Sequence, residues 1–272
     1  MKLEIAFVGA GKMVSAIVNG LIRENIFRPE QMACVSAPDG TAEKLAEASG
    51  IGQADSLDEL LANDSNRLLL GCKPQQFHDL DQRLSNWTDG VAVLSIMAGI
   101  TLETLDQRFP KARQLVRSMP NTPGQIGAGV TAYLFATPPS EEERIDVERI
   151  LSALGKVFPV EKESYLDAVT AMSGSGPGYV FEFACALEEA GVKIGLEKDF
   201  ARTLAIETIL GSGRLMAHSQ EHPETLRNYV TSPNGTTQAA LERFAEGKFR
   251  KLVTEAVSAA YDRSVELSRP DA

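Results

Sequence analysis

The chain has 272 residues, 43% of them hydrophobic and 24% charged, which is enough apolar material for a buried core in one large domain or two modest ones. Lysine and arginine number 27 against 37 aspartates and glutamates, a formal charge of −10. So acidic a chain lacks the basic footprint that a phosphate backbone requires, which excludes nucleic acid as a partner but not a small anion held by a few local groups. Three cysteines (Cys34, Cys72, Cys185) and three histidines (His78, His218, His222) show no metal-ligand spacing, so no metal site and a reducing, cytoplasmic setting are predicted. Glu4 falls where a signal peptide needs its apolar stretch, and the uncharged run 119–140 is broken by Pro120, Pro123, Gly124, Gly127 and Gly129. Neither a signal peptide nor a membrane span is predicted.

In chain order, Ile5-Ala6-Phe7-Val8 predicts a first buried strand. Gly9-Ala10-Gly11 follows at once and opens a helical pattern through Lys12, Met13, Val14 and Ala16, the strand–turn–helix setting a dinucleotide fingerprint requires. Gly9 allows the tight turn, and Gly11 lets backbone amides approach a pyrophosphate at the helix start. The third glycine position holds Val14, and an ordinary glycine turn fits the same residues. Met32-Ala33-Cys34-Val35 predicts a second strand, with Ser36 at its tip and Asp39 slightly beyond. Neither an acid for the ribose of NAD nor an arginine for the 2′-phosphate of NADP stands at the tip itself, so cofactor preference stays open.

Helix-compatible segments at 41–46 and 57–61 lead to a strand at 68–70 and then Cys72-Lys73-Pro74, at the carboxyl edge where open α/β sheets bind ligands. Lys73 reads equally as a cofactor contact or a solvated loop lysine. A strand at 91–94 precedes Ile96-Met97-Ala98-Gly99, whose small residues admit a flat ring. Another at 115–116 precedes Met119-Pro120-Asn121-Thr122-Pro123, which also reads as a turn. Strands at 130–135 and 157–160 flank a helix that Ser140 caps, with Glu141, Glu142 and Glu143 in its first turn. Strand and helix in alternation predict an α/β fold, a Rossmann-like doubly wound parallel sheet covered on both faces.

Strand signals stop near residue 163, which divides the chain into 1–163 and an all-α domain over 164–272. Ser173-Gly174-Ser175-Gly176-Pro177-Gly178 would let two backbones approach, and it precedes a segment, 179–194, that is apolar nearly all round. That segment predicts a helix buried on most faces, and so little chain remains to cover it that the missing cover is predicted to be another subunit. In Ser232-Pro233-Asn234-Gly235-Thr236-Thr237, Pro233 fixes one turn residue and Asn234 and Gly235 tolerate positive φ, with Thr236 or Thr237 capping the next helix. Free N–H groups at such a helix start suit a carboxylate, and a plain capping loop fits the same residues.

In this order and spacing, the fingerprint with Met13 and Ala16, Cys72-Lys73-Pro74, Met119-Pro120-Asn121-Thr122-Pro123, Ser173-Gly174-Ser175-Gly176-Pro177 and Ser232-Pro233-x-Gly235-Thr236-Thr237 resemble the pyrroline-5-carboxylate reductase family over essentially the whole chain. The resemblance implies a dinucleotide domain, a helical dimerisation domain, reduction of the cyclic imine 1-pyrroline-5-carboxylate to L-proline with NADPH or NADH, and homodimers that assemble into decamers in some members. It further implies cofactor contacts at Gly9, Ala10, Gly11, Lys12, Met13, Ser36, Cys72, Lys73, Pro74, Met97, Ala98 and Gly99. Substrate contacts are implied at Met119, Asn121, Ser232, Pro233, Asn234, Gly235, Thr236 and Thr237, with the Thr237 hydroxyl reaching the ring nitrogen as the catalytic group. The chain departs from the family's pattern at Val14, at Gly178, at Asn234 in place of a glycine, and at Ala37-Pro38 where many members carry Asn-Arg. Val14 is expected to set the first helix slightly further from its strand. A β-hydroxyacid dehydrogenase shares the two-domain plan but needs a lysine base near the start of its long helix, and residues 164–192 contain none. A non-catalytic nucleotide sensor would have no need of the substrate loop.

Overall fold

The computed structural model describes residues 2–269. Its first part alternates strand and helix: β1 (Ile5–Val8), α1 (Lys12–Arg23), β2 (Met32–Val35), α2 (Thr41–Ser49), β3 (Gly52–Gln53), α3 (Leu57–Leu61), β4 (Arg67–Leu70), α4 (Arg83–Trp87), β5 (Ala92–Ser95), α5 (Leu102–Arg108), β6 (Gln114–Met119), β7 (Gly129–Phe135), α6 (Glu141–Leu151) and β8 (Gly155–Pro159). The rest is helical: α7 (Ser164–Val169), a π-turn at Thr170–Gly174, α8 (Gly176–Lys193), α9 (Lys198–His218), α10 (Pro223–Tyr229), α11 (Thr236–Glu246) and α12 (Phe249–Leu267).

The strands form one sheet in the order β3-β2-β1-β4-β5-β6-β7-β8, the doubly wound order with its switch point between β1 and β4. Neighbouring strands are parallel except β6 and β7. The link from Met119 to Gly129 carries only a short turn at Thr122–Ile126, and a return without a crossover has to run antiparallel. Successive β1 side chains enter opposite halves of the core: Ile5 and Phe7 pack with Ile17 and Leu21 of α1, while Ala6 and Val8 pack with Phe77 and Phe109. Burial on both faces is why these strands read as unbroken apolar runs. Gly52 and Gln53 make no such run, and β3 escapes sequence reading. Ser140 caps α6 as predicted: its Oγ accepts from the Glu143 N–H and its own N–H donates to Glu143 Oε2.

By internal packing the chain forms two compact units, one of residues up to Ser175 together with those from Ala260 on, the other of Gly176–Ala259. Of the chain after residue 163, α7 and the end of α12 belong to the sheet's unit, and charge ties them to it. Arg117 of β6 is 4% exposed and pairs with Glu163 at 2.7 Å and with Asp167 of α7 at 3.6 Å. Ser264 and Ser268 donate hydrogen bonds to the same Asp167 carboxylate. A guanidinium this buried is tolerated only with such partners. In the second unit, Gly191 of α8 faces Ala201 of α9, whose Cβ would stand 2.9 Å from a Cβ at Gly191.

The prediction that the 179–194 helix is buried on most faces is corrected within one chain: Phe181 is 62% exposed and Ile194 81%, because the unit has nothing further to lay over them. Nor do the glycines of its first turn serve a close approach inside the chain, since a Cβ at Gly176 or Gly178 would meet no atom within 4 Å.

Val14 does not push α1 away from the sheet. It is fully buried, and the space for its branched side chain comes from Gly71 at the end of β4, where a Cβ would overlap Val14 Cγ2. Gly71→Ala is therefore expected to overpack this contact and lower stability by about 1–3 kcal/mol in urea unfolding. Val14→Ala in the same chain should recover most of that loss; two losses that simply add would show that the residues do not share the space.

Candidate active site

β1 runs straight into Gly9, whose N–H donates to Val35 O at 2.8 Å and whose φ of 104° lies where only glycine sits without strain. A Cβ at Gly9 would also strike the Gly71 backbone, so β1, β2 and β4 meet here at a point closed to any side chain. The chain then turns into α1 through Gly11, the N-cap, which supplies no side-chain bond. The first intrahelical bond runs from Ser15 N to Gly11 O, which leaves the N–H groups of Lys12, Met13 and Val14 without helical partners. A Cβ at Gly11 would meet nothing within 4 Å, so open space lies in front of those donors. That combination of unpaired N–H groups, positive helix end and room for a bulky anion fits the pyrophosphate of a dinucleotide.

This helix end opens on a cleft of about 670 Å³. Of the predicted cofactor residues, Gly9, Ala10, Gly11, Ser36, Cys72 and Lys73 line it. Lys12 and Met13 stand in the first turn of α1, Lys12 exposed and Met13 packed partly on the core. Pro74, Ala98 and Gly99 line a neighbouring cleft of about 360 Å³ within the same unit. Gly99 has φ 79°, and a Cβ there would come within 2.6 Å of Leu267 O at the end of α12. Met97 is corrected: its side chain is 3% exposed and belongs to the core, its Sδ 3.5 Å from Cys72 Sγ. Burial pushes the Cys72 thiol up to about 11, so it faces the cleft as a neutral group.

Sequence reasoning left the end of β2 without a close acid, and the structure supplies one. Asp39 lines the same cleft as Ser36, and its carboxylate accepts from Thr41 Oγ1 at 2.6 Å and Thr41 N at 3.0 Å. These bonds, the hydroxyl first, hold the Asp39 carboxyl below its ordinary range. Ser36 Oγ spends its proton on Ala37 O. Thr41, Asp55, Ser56 and Gln76 also line the cleft and were missed; the Asp39-x-Thr41 spacing is the signal that could have found the first of them.

At the end of β6, Met119 is partly buried, and a Cβ at Gly174 would lie 2.8 Å from its Cε. Asn121 is 9% exposed, its Nδ2 donating to Ser173 O and its Oδ1 accepting from Val130 N.

In the second unit, Asn234 has φ 57°, the left-handed conformation that an asparagine accepts in place of glycine. Neither threonine caps the following helix: Gly235 is the N-cap, and Thr236 and Thr237 are the first two residues of α11. Two loop donors are consumed locally, Gly235 N by Ser232 O and Asn234 N by Gln238 Oε1. The donors left open are thus the N–H groups of Thr236, Thr237 and Gln238, which take no helical partner. Thr237 Oγ1 makes no hydrogen bond among the described residues and is not used as a cap.

Residues 163–267 match the family described as pyrroline-5-carboxylate reductase dimerisation, and residues 4–99 match NADP oxidoreductase, coenzyme F420-dependent. The pyrroline-5-carboxylate reductase of Synechocystis sp. is 36% identical over 269 residues, covering 99% of this chain and 100% of that one. Among solved structures, a pyrroline-5-carboxylate reductase from Coxiella burnetii aligns with a TM-score of 0.88 at 31% identity, covering 98% of this chain and 99% of that one. The Plasmodium falciparum pyrroline carboxylate reductase with NADP bound aligns at 0.86 and 26% identity, covering 98% of each chain.

Gly11→Val would fill the space before the α1 donors without touching the fold, because its backbone (φ −69°, ψ 177°) suits any residue. Calorimetric titration should show dinucleotide affinity falling by roughly tenfold or more while the unfolding midpoint stays within about 0.5 kcal/mol of the parent. Unchanged affinity would remove this helix end from the site.

Proposed function

The chain belongs to the pyrroline-5-carboxylate reductase family and reduces 1-pyrroline-5-carboxylate to L-proline with NADPH or NADH; on that premise we propose how its residues divide the work. Residues 1–163 hold the dinucleotide, and residues 164–272 hold the substrate and build the homo-oligomer from dimers, with decamers as the larger assembly. Its three cysteines are free thiols, which suits the reducing cytoplasm we assign to it.

One observation carries the reading. Among the described residues, two glycine-capped helix starts have no loop side chain bonding their first turn, α1 behind Gly11 and α11 behind Gly235; at a third, α2 behind Gly40, Asp39 takes the Thr41 N–H. Elsewhere Ser56, Thr101 and Ser140 bond the first turns of α3, α5 and α6 with their own hydroxyls. An uncapped start costs stability unless an anion completes it. Pyrophosphate fits the first of these starts, and the carboxylate of the cyclic imine fits the second.

Hydride addition to a protonated C=N bond asks little acid–base work of the protein, and the reduced nicotinamide supplies the hydride when bound. What remains is placement. The N–H groups of Lys12 to Val14 fix the pyrophosphate. Met119, Ala98 and Gly99 offer small or flexible apolar surface to flat rings. The N–H groups of Thr236 to Gln238 hold the carboxylate, and the Thr237 hydroxyl, free of capping, holds the proton on the ring nitrogen.

Thr237→Val removes that hydroxyl at nearly constant volume. A bond of about 1.5–3 kcal/mol to a charged partner converts to a loss in kcat/KM of roughly tenfold to a hundredfold, with dinucleotide affinity unchanged. Intact turnover in steady-state kinetics would leave Thr237 as a helix residue only.

Both reduced cofactors should serve, with discrimination below about a hundredfold, since among the described residues no arginine lines the cleft and Lys73 is the one lysine there. Asp39 stands where it would repel a 2′-phosphate. Asp39→Asn is expected to raise affinity for NADPH relative to NADH by roughly threefold to tenfold in direct titration. A ratio that does not move would place the determinant elsewhere.

A further inference from the structure

Asn121 and the π-turn at Thr170–Gly174 have no part in the division of work above, yet the structure joins them. The π-turn is marked by the bond from Ser175 N to Thr170 O, five residues apart. Four residues beyond the end of α7, at Ser173, the helical path also meets a missing donor. Ser173 O would take a helical bond from the N–H four residues on, and that residue is Pro177, which has none. Asn121 Nδ2 supplies the bond instead, at 3.0 Å, reaching from the end of β6. Its other end is held as firmly, Oδ1 accepting from Val130 N at 2.9 Å at the start of β7. With 9% exposure and both polar ends engaged by the backbone, this amide is committed to the fold at two points, with one Nδ2 hydrogen and one Oδ1 lone pair left over. Two residues earlier Met119 packs against Gly174, the neighbour of Ser173, so the strand end grips the turn by an apolar contact as well.

We infer that Asn121 is a positioning residue: it replaces the donor that Pro177 lacks and so fixes the π-turn against the strand end that carries Met119, without touching substrate. A half-buried carbonyl left without a donor distorts or exposes its turn, and the loss reaches the chemistry through Met119 and the Ser173–Gly174 backbone. The kinetic half of this inference rests on the reductase activity; the structural half does not.

Asn121→Asp tests both. Its carboxylate can still accept from Val130 N, but when ionised it opposes Ser173 O, and when protonated it donates to Ser173 O again. At neutral pH, kcat should fall roughly tenfold to a hundredfold with dinucleotide affinity unchanged, and amide hydrogen exchange in residues 170–178 should accelerate relative to the parent. Both effects should shrink as pH falls and the new carboxyl takes up its proton, each value normalised to the parent at the same pH. Pro177→Ala, which gives the helix its own donor, should make Asn121→Ala less costly to unfolding stability than it is in the parent background. A kcat loss with unchanged exchange at every pH would overturn the inference and make Asn121 a substrate ligand. Unchanged kcat and exchange, or full additivity with Pro177→Ala, would overturn it as well. If the parent fails to reduce pyrroline-5-carboxylate, the functional reading falls while exchange and additivity still decide the tie.

Discussion

Helices α8 to α11 bring more apolar surface than their own unit can cover. Between Gly176 and Ala259 only Gly191, Ala201 and Ala205 are buried, while Val180, Phe181, Phe183, Leu204, Ile206 and Leu210 are each more than a third exposed. Full burial of one such side chain is worth about 1.5–3 kcal/mol, and a unit that leaves this many in water has no margin to hold its helices in place. Its packing has to be finished by further copies of the chain, which is the physical content of the match between residues 163–267 and a dimerisation family. The consequence reaches function. The loop that presents Thr236, Thr237 and Gln238 belongs to this unit, so the carboxylate site we propose there is as stable as the assembly, and on that proposal association becomes part of catalysis.

The sheet unit follows the opposite logic. It buries both faces of β1, β4 and β5 and concentrates its special geometry at one corner, where Gly9, Gly71 and Val14 interlock beneath the start of α1. Rigid packing below and unpaired donors above make a binding surface with little left to reorganise. The pairing of Arg117 with Glu163 and Asp167 extends that rigidity to α7 and to the end of α12, whose Leu267 backs the Gly99 turn.

The buried strands, the glycine turn and the loop before α11 were legible in the sequence because each is written in consecutive residues: an apolar run, a G-x-G after a strand, a Pro-Asn-Gly before a helix. What escaped is written between distant segments. Val14 reads as a misfit until Gly71 is seen to make room for it, and Asp39 reads as beyond the strand tip until Thr41 turns it into the cleft. Asn121 reads as a ligand from its motif alone, and only its two partners, Ser173 and Val130, show that its amide also ties two backbone segments together. The apolar character of the 179–194 helix correctly indicated missing cover, but the same character gave no sign of how little of that cover its own chain provides. Met97 looked like part of a ring-binding turn, and the fold turned its side chain into the core while leaving Ala98 and Gly99 at the surface.

The dependence of the second unit on self-association is tested most directly by sedimentation velocity across a dilution series, with far-ultraviolet dichroism and turnover followed on the same samples. A species of at least two chains is predicted wherever the protein is folded, with helical signal and turnover lost together once dilution dissociates it. A folded, active monomer persisting at micromolar concentration would contradict the account.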